Sequence, residues 1–132
     1  VQPAEQQPET DHKMLFERST TGNTNNVFFR EAQHGGWFSY ELATEGKTDL
    51  ALYLKYWGVD DWGTRSFEIY IDDEKMLEVN NTRRWLSSVF KTEEYKIPAS
   101  MLEGKEYIRV RFQSLRGTQV GGIYDLRLVE AE

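Results

Sequence analysis

Cysteine is absent from the 132 residues, and only two histidines and three prolines are present. Without cysteine, this chain forms no disulfide, no thiolate metal site and no cysteine nucleophile. Neither His12 nor His34 has a partner at the spacing of a zinc motif, so both are interpreted as solvated side chains. The sequence also has no Gly-x-Ser-x-Gly motif and no glycine-rich phosphate loop that opens a helix. These absences remove several common signatures of a catalytic domain.

Positive charge and long apolar runs are scarce as well. The formal charge is −6, from 16 basic and 22 acidic residues, and no cluster of Lys and Arg is free of acids. Nucleic acid is therefore not expected as a partner. No apolar run approaches the roughly 20 residues of a membrane helix, and the first residues lack the pattern of a signal peptide. A membrane partner is not expected, and the sequence alone leaves the compartment unknown.

Aromatic residues, in contrast, make up 14% of the chain, with 7 Phe, 7 Tyr and 4 Trp. Pleated sheets accommodate aromatic and β-branched residues well. In the range 49–57, Leu50, Leu52 and Leu54 recur at the period of a half-buried strand. Further strands are predicted at 14–18, 37–42, 66–71, 76–79, 92–97, 106–113 and 122–129. About eight short strands with turns between them predict an all-β, antiparallel β-sandwich or jelly roll.

The chain divides into two parts by composition. Residues 1–10 contain Pro3 and Pro8 with several Gln and Glu and no apolar periodicity. They predict an extended linker from an upstream domain. Residues 11–132 predict a single β-sandwich domain, which contains one helical turn at 98–104 ended by a glycine.

Carboxylates are numerous, but they predict no catalytic pair. Many occur as adjacent pairs at expected turns, namely Asp60-Asp61, Asp72-Asp73 and Glu93-Glu94. A glycosidase needs two carboxyl groups that face each other across a cleft. An independent glycosidase is therefore kept only as a distant alternative, and the chain is predicted not to be an enzyme.

Two segments between predicted strands combine aromatic, polar and glycine residues. The first contains Trp57, Trp62 and Arg65, and the second contains Arg116 and Gln119. Aromatic rings stack on sugars, and Arg and Gln side chains hydrogen-bond to hydroxyl groups, so these five residues are candidate carbohydrate contacts. The same residue types are favoured at protein interfaces, which gives an interface as the alternative. Because jelly-roll loops gather at the ends of the sandwich, the two segments are expected to lie near one another.

Several multi-residue blocks in order resemble one known family. They are Gln6-Gln7-Pro8-Glu9, Asp11-His12, Glu17-Arg18-Ser19, Phe29-Arg30-Glu31-Ala32, Gly35-Gly36-Trp37-Phe38-Ser39-Tyr40-Glu41-Leu42, Tyr56-Trp57-Gly58, Val110-Arg111-Phe112-Gln113 and Gly121-Gly122-Ile123-Tyr124. Together they resemble the C-terminal domain of β-L-arabinofuranosidase-type enzymes of glycoside hydrolase family 127.

This resemblance implies a galactose-binding-like jelly roll that follows a catalytic (α/α)-barrel and another β-sandwich. In that family a zinc-bound cysteine and glutamates of the barrel carry out catalysis, so none of that chemistry transfers to this cysteine-free chain. The expected partners are the upstream domains, with a homodimer or a glycan as further candidates. The function expected first is structural packing or dimerisation in a periplasmic or secreted enzyme. The alternative is a carbohydrate-binding module that recognises plant-type glycans.

A looser resemblance links the chain to calcium-containing carbohydrate-binding modules of the same fold. It rests on residues 36–40, 70–73, 102–105 and 124–126. Those modules hold a structural calcium with acids near their first and last strands, and Glu17 and Asp125 occupy similar places here. The resemblance therefore implies Glu17 and Asp125 as calcium ligands, with no other cofactor required. The alternative is that Glu17 faces solvent and Asp125 pairs with Arg127.

Overall fold

A computed structural model of the chain describes residues 1–59 and 64–131. Within these residues the strands are β1 Leu15–Thr24, β2 Val27–Ala43, β3 Leu50–Trp57, β4 Ser66–Ile71, β5 Glu74–Asn80, β6 Phe90–Lys96, β7 Tyr107–Ser114 and β8 Asp125–Glu130. One α-helix, α1 Gln6–Asp11, precedes them, and a short 3-10 helix, Ala99–Met101, lies between β6 and β7. Neither described helix is long and apolar enough to cross a membrane.

The strands form two antiparallel sheets of unequal width. The wide sheet has five strands in the order β1-β2-β7-β4-β5, and the narrow sheet has three in the order β6-β3-β8. The first and last strands of the sandwich therefore lie in different sheets. This arrangement confirms the predicted all-β, antiparallel β-sandwich of about eight strands.

The core lies between the sheets and consists of alternate residues of the central strands. Leu52 and Leu54 of β3 face Val110 and Phe112 of β7, and all four side chains are fully buried. Alternate side chains of a strand point to opposite faces, so the period-two pattern of the sequence predicted these inward residues correctly. Each sheet keeps its other face outside the core.

The first hairpin is longer than the sequence predicted. β2 runs for 17 residues and β1 for 10, and they are joined at Asn25 and Asn26 with φ of 50° and 66°. Asparagine tolerates this left-handed backbone, which suits a two-residue hairpin turn. Because β1 is paired on one side only and most of it is exposed, this stretch shows no clear apolar alternation.

Residues 1–10 do not form the extended linker that the sequence predicted. Residues 6–11 form α1, Pro3 is buried, and Val1 exchanges backbone hydrogen bonds with Leu126 of β8 at 2.6 and 3.2 Å. This segment is therefore part of the domain. Its charged residue Glu9 provides the physical reason, because its carboxylate is buried against the wide sheet.

A buried ion pair fastens α1 to β2. The Arg30 guanidinium donates from Nε and Nη2 to the two oxygens of Glu9, at 2.6 and 2.9 Å, and the Tyr40 hydroxyl donates to Glu9 Oε2 at 2.5 Å. Glu9 is 6% exposed and Arg30 8%. Burial opposes ionisation of Glu9, but the hydrogen bonds from Arg30 and Tyr40 outweigh it and lower the pKa of the carboxyl group.

The unequal width of the sheets explains why this helix is needed. β8 packs against β2, so the inner face of the first hairpin extends beyond the narrow sheet. Arg30 and Tyr40 lie on that inner face, and α1 covers it.

Replacement of Glu9 by alanine is expected to destabilise the domain by about 3–5 kcal/mol, because it leaves the Arg30 charge buried without a partner. Urea unfolding followed by tryptophan fluorescence measures this loss. The matched control is Glu5→Ala, since Glu5 is exposed and forms no side-chain cap. An equal effect of both changes would show that the pair does not hold α1 in place.

The same ion pair sets a pH dependence. Because the pKa of Glu9 is lowered in the folded state, its ionised form stabilises the fold above the ordinary carboxyl pKa. That contribution is lost as the pH falls through the lowered pKa. Lowering the pH should therefore reduce the free energy of unfolding by less in Glu9→Gln than in the unaltered chain.

Candidate functional site

Three loops meet at one end of the sandwich. We call this region the loop end and define it as residues 58–59, 64–65, 81–89 and 115–124. Backbone hydrogen bonds join the loops directly: Gly58 N donates to Val89 O at 2.8 Å, Asn81 N to Arg65 O at 2.7 Å, and Gln119 N to Thr64 O at 2.9 Å. The two segments that the sequence placed near one another are thus in contact.

Arg65 lies inside the loop end and not on its surface. Its side chain is 1% exposed, and its guanidinium carbon lies 5.8 Å from the Tyr56 ring centre and 5.7 Å from that of Trp85. Nη1 also donates to the backbone oxygen of Trp57 at 3.3 Å. The sequence proposed Arg65 as a contact to a surface glycan, whereas this position makes it a support for the loops.

Gln119 is also buried, but its side-chain amide is not fully hydrogen-bonded. The residue is 7% exposed, and its side-chain nitrogen Nε2 has no hydrogen-bond acceptor in the described part of the chain. A buried donor without an acceptor costs about 1–3 kcal/mol. Because Nε2 is itself closed to solvent, a ligand oxygen reaches it and recovers part of that cost only if neighbouring loop residues move aside.

The remaining predicted contacts have different positions. Arg116 is exposed, in a loop segment held to β2 by hydrogen bonds from His34 N to Thr118 O and from Gly35 N to Leu115 O. Trp57 is half-buried at the end of β3. Among the described residues no contact joins Arg116 to Trp57. Trp62, the fifth predicted contact, lies outside the described residues.

Trp57 begins a series of aromatic rings beside the loop end, which we call the aromatic row. It consists of Trp57, Phe90, Tyr124 and Phe29, with successive ring centres 4.9, 5.1 and 5.1 Å apart. The ammonium group of Lys55 lies 4.4 Å from the Phe90 ring centre. Trp57, Phe90 and Phe29 are half-buried, so part of each residue remains open to solvent.

Sequence reasoning missed most of the residues that form this region. Phe90 joins Trp57 because β6 pairs with β3, and Tyr124 joins Phe90 through the start of β8. These pairings connect residues more than 30 positions apart, and no local pattern reports them. Trp85 was the exception that a local signal could have revealed, because it follows two arginines in a loop.

The two predicted calcium ligands lie in different sheets. Glu17 belongs to β1 and accepts a hydrogen bond from Trp37 Nε1 at 3.3 Å. Asp125 begins β8, forms an ion pair with Arg127, and lies 3.8 Å from the amino group of Val1. Within residues 1–59 and 64–131, no three Asp, Glu or His side chains are grouped as a metal site. The calcium site therefore stays a prediction.

Solved structures of known proteins share this architecture. The chain resembles a family 35 carbohydrate-binding module from an environmental isolate, with 9% identity, a TM-score of 0.64, and coverage of 87% of this chain and 81% of that one. It resembles the C-terminal family 6 module of LamC from Zobellia galactanivorans, with 11% identity, a TM-score of 0.63, and coverage of 88% and 91%. It also resembles the family 35 module of Cellvibrio japonicus Abf62, with 13% identity, a TM-score of 0.62, and coverage of 100% and 93%.

At such low identities these similarities define a fold class, the β-sandwich of carbohydrate-binding modules. The family itself is given by the sequence, because the model of DUF6805, a family of unknown function, matches residues 1–129. The chain belongs to the DUF6805 family. No curated protein sequence matches it.

Gly58 allows the close approach of two loops, which gives a test of how the loop end is built. A methyl group at this position would lie 2.3 Å from Ser87 O and 2.8 Å from Val89 O. Gly58→Ala is therefore expected to cost about 1–3 kcal/mol through overpacking. Amide hydrogen exchange should accelerate at residue 58 and at Asn81.

The control for that change is Gly46→Ala. Gly46 has φ of +73°, and a methyl group added there would have no atom within 4 Å, so alanine strains the backbone without touching the loop end. Gly46→Ala should lower stability, but amide hydrogen exchange at Gly58 and Asn81 should not accelerate relative to the rest of the chain. Equal acceleration in both variants would contradict a local role for Gly58.

Proposed function

We propose that this chain is a non-catalytic carbohydrate-binding module and that the loop end is its glycan-binding surface. The observation that carries the proposal is the side-chain amide of Gln119, which is buried at the junction of the loops with no acceptor for Nε2 among the described residues. Sugar hydroxyl groups are suitable acceptors for such a donor. The cost of leaving this donor unpaired is what ligand binding would relieve.

The aromatic row supplies the second type of contact that a sugar needs. Trp57 is connected to the Gln119 junction through Arg65, which donates to Trp57 O and follows Thr64, the residue that accepts the Gln119 backbone bond. Half-buried rings held by their neighbours offer apolar surface at low cost in side-chain freedom. Arg116, which is exposed on the adjacent loop, offers charged donors to hydroxyl groups.

The solved structures support this proposal over a purely structural role. Three of them bear the name carbohydrate-binding module and are covered over most of their length by this chain. In this proposal the domain holds no catalytic group, an expectation that rests on the absence of cysteine from the sequence. We extend it to plant-type glycans from the family 127 resemblance alone.

Docking on another protein domain is the second candidate function. Apolar side chains at the loop end favour it, because Leu86 is 90% exposed, Val89 48% and Leu115 37%. The partner would be an upstream domain of a glycoside hydrolase, or a second copy of the chain in a dimer of the periplasmic or secreted parent. If this second function is correct, the loop end is a protein interface, and glycans leave the tryptophan fluorescence and proton shifts of the chain unchanged.

The glycan-binding proposal predicts that Gln119→Met affects stability and glycan affinity differently. Removal of an unsatisfied amide should leave the melting temperature unchanged or higher, while the affinity for a bound glycan falls by roughly twofold to tenfold, the value of one neutral hydrogen bond. Arabinose- and galactose-containing oligosaccharides are titrated into the chain, with tryptophan fluorescence and proton shifts as readouts. Binding in the millimolar range is expected, since little area is buried.

Gln7→Met is the matched control, because Gln7 is exposed on α1 and its side chain donates to Asp11. It should leave glycan affinity unchanged.

Trp62→Ala, a choice that rests on the sequence, should weaken glycan binding if the second tryptophan stacks on the sugar. The same titrations, followed by analysis of released sugar, test the non-catalytic proposal. If no oligosaccharide perturbs the signals and Trp62→Ala weakens association with the upstream domains, the loop end is an interface.

The calcium proposal is tested separately. A calcium ion held by Glu17 and Asp125 should raise the melting temperature above that in chelator, and Asp125→Ala should abolish the difference. The expected size of this stabilisation depends on the ratio of the calcium concentration to the dissociation constant of calcium. Identical melting curves in calcium and in chelator would remove the site, and would agree with Asp125 as the partner of Arg127.

A further inference from the structure

An open cleft of about 470 Å³ lies between α1 and the first hairpin, away from the loop end. Its walls are Ala4, Gln6, Glu9, Thr10, Lys13, Met14, Thr21 and Arg30. This volume falls within the range of small-molecule sites, about 300–1,000 Å³. The cleft exists because the wide sheet extends beyond the narrow one and α1 covers only part of the overhang.

The floor of the cleft is a rigid group of polar atoms. Glu9 and Arg30 are more than nine-tenths buried, and the bonds from Arg30 to Glu9 fix the plane of the guanidinium group. Arg30 Nη1 also donates to Ser19 Oγ at 3.0 Å. A guanidinium group carries five N–H donors. Three of them bond to Glu9 and Ser19, and the Tyr40 hydroxyl is a further hydrogen-bond partner of the group, which leaves one N–H for a ligand oxygen.

Hydroxyl and apolar groups complete the walls. Thr10 and Thr21 offer hydroxyl groups from opposite sides, and Met14 offers apolar surface. Phe16, whose ring centre lies 5.1 Å from the Arg30 guanidinium carbon, is 53% exposed beside them. Fixed donors, hydroxyl groups and apolar surface together suit a small molecule with many hydroxyl groups.

The charges of the cleft select an uncharged ligand. The carboxylate of Glu9 is balanced by Arg30, and the ammonium group of Lys13 lies 3.5 Å from Glu41. Glu9, Arg30, Lys13 and Glu41 together have no net charge, and Arg109 also lies 3.8 Å from Glu41. We propose that this cleft is a second binding site, which takes one neutral monosaccharide unit independently of the loop end.

Two variants that fill the cleft test the proposal, each with its own control. Thr21 lies on the face of β1 that lines the cleft, whereas Thr20 lies on the opposite face of the same strand. Thr21→Trp should weaken sugar binding at the cleft by about tenfold or more, and Thr20→Trp should leave it unchanged. Thr10→Trp fills the cleft from α1 and serves if Thr21→Trp does not fold.

The probes are D-galactose and L-arabinose, titrated separately into the isotope-labelled chain up to tens of millimolar, a range chosen for affinities of about 1 mM and weaker. The expected result is a saturable shift of the Thr10, Lys13 and Thr21 amides and of the Arg30 Nε–H signal. The shift should vanish in Thr21→Trp and persist in Thr20→Trp and Gln119→Met.

Two results would overturn the second site: no saturable shift of these four signals with either sugar, or a shift that survives in Thr21→Trp. Shifts confined to the loop end overturn the cleft alone. Shifts confined to the cleft support it and count against the loop end. The two proposals therefore fail separately.

Discussion

The Glu9–Arg30 ion pair holds α1 over the part of the wide sheet that the first hairpin forms. A five-stranded sheet cannot be covered by a three-stranded sheet, so the inner face of the first hairpin needs another partner. A buried charge pair is weak evidence for net stability, but loss of one partner is costly because the other charge stays buried. Tyr40 and Ser19 satisfy further atoms of the pair. The position of α1 and the shape of the cleft beside it both depend on this pair.

At the loop end a second buried cation, Arg65, supports the structure as Arg30 does beside α1. Arg65 is enclosed by Tyr56, Trp85 and the backbone of Trp57, and burial raises the pKa of the Tyr56 hydroxyl well above its ordinary value, so this tyrosine stays neutral. A planar guanidinium group can stack on rings and donate at its edges at the same time, which lysine cannot do. The loops are thus held from within, and their exposed residues are free for a ligand or a partner.

The sequence was informative wherever local pattern decides structure. In β3 and β7 the inward residues alternate with polar ones because one face is buried, and this period predicted the core. In β1 most residues are exposed, so no period marked the strand. Glu9 looked like part of a polar linker because its partners lie 21 and 31 residues away. Arg65 was proposed as an exposed contact because composition reports residue type and does not report burial.

The two proposed sites follow from one physical consideration about hydrogen bonds. A domain of this size satisfies nearly all its buried polar groups internally, so a donor left over in a recess is a place where an external oxygen gains most. At the loop end such donors include Nε2 of Gln119 and Nδ2 of Asn81. In the cleft it is the part of the Arg30 guanidinium group that Glu9, Ser19 and Tyr40 do not use. The Arg30 donors are held by Glu9, which the fold itself requires, so they do not have to be ordered when a ligand binds, and the entropic cost of binding at the cleft is small.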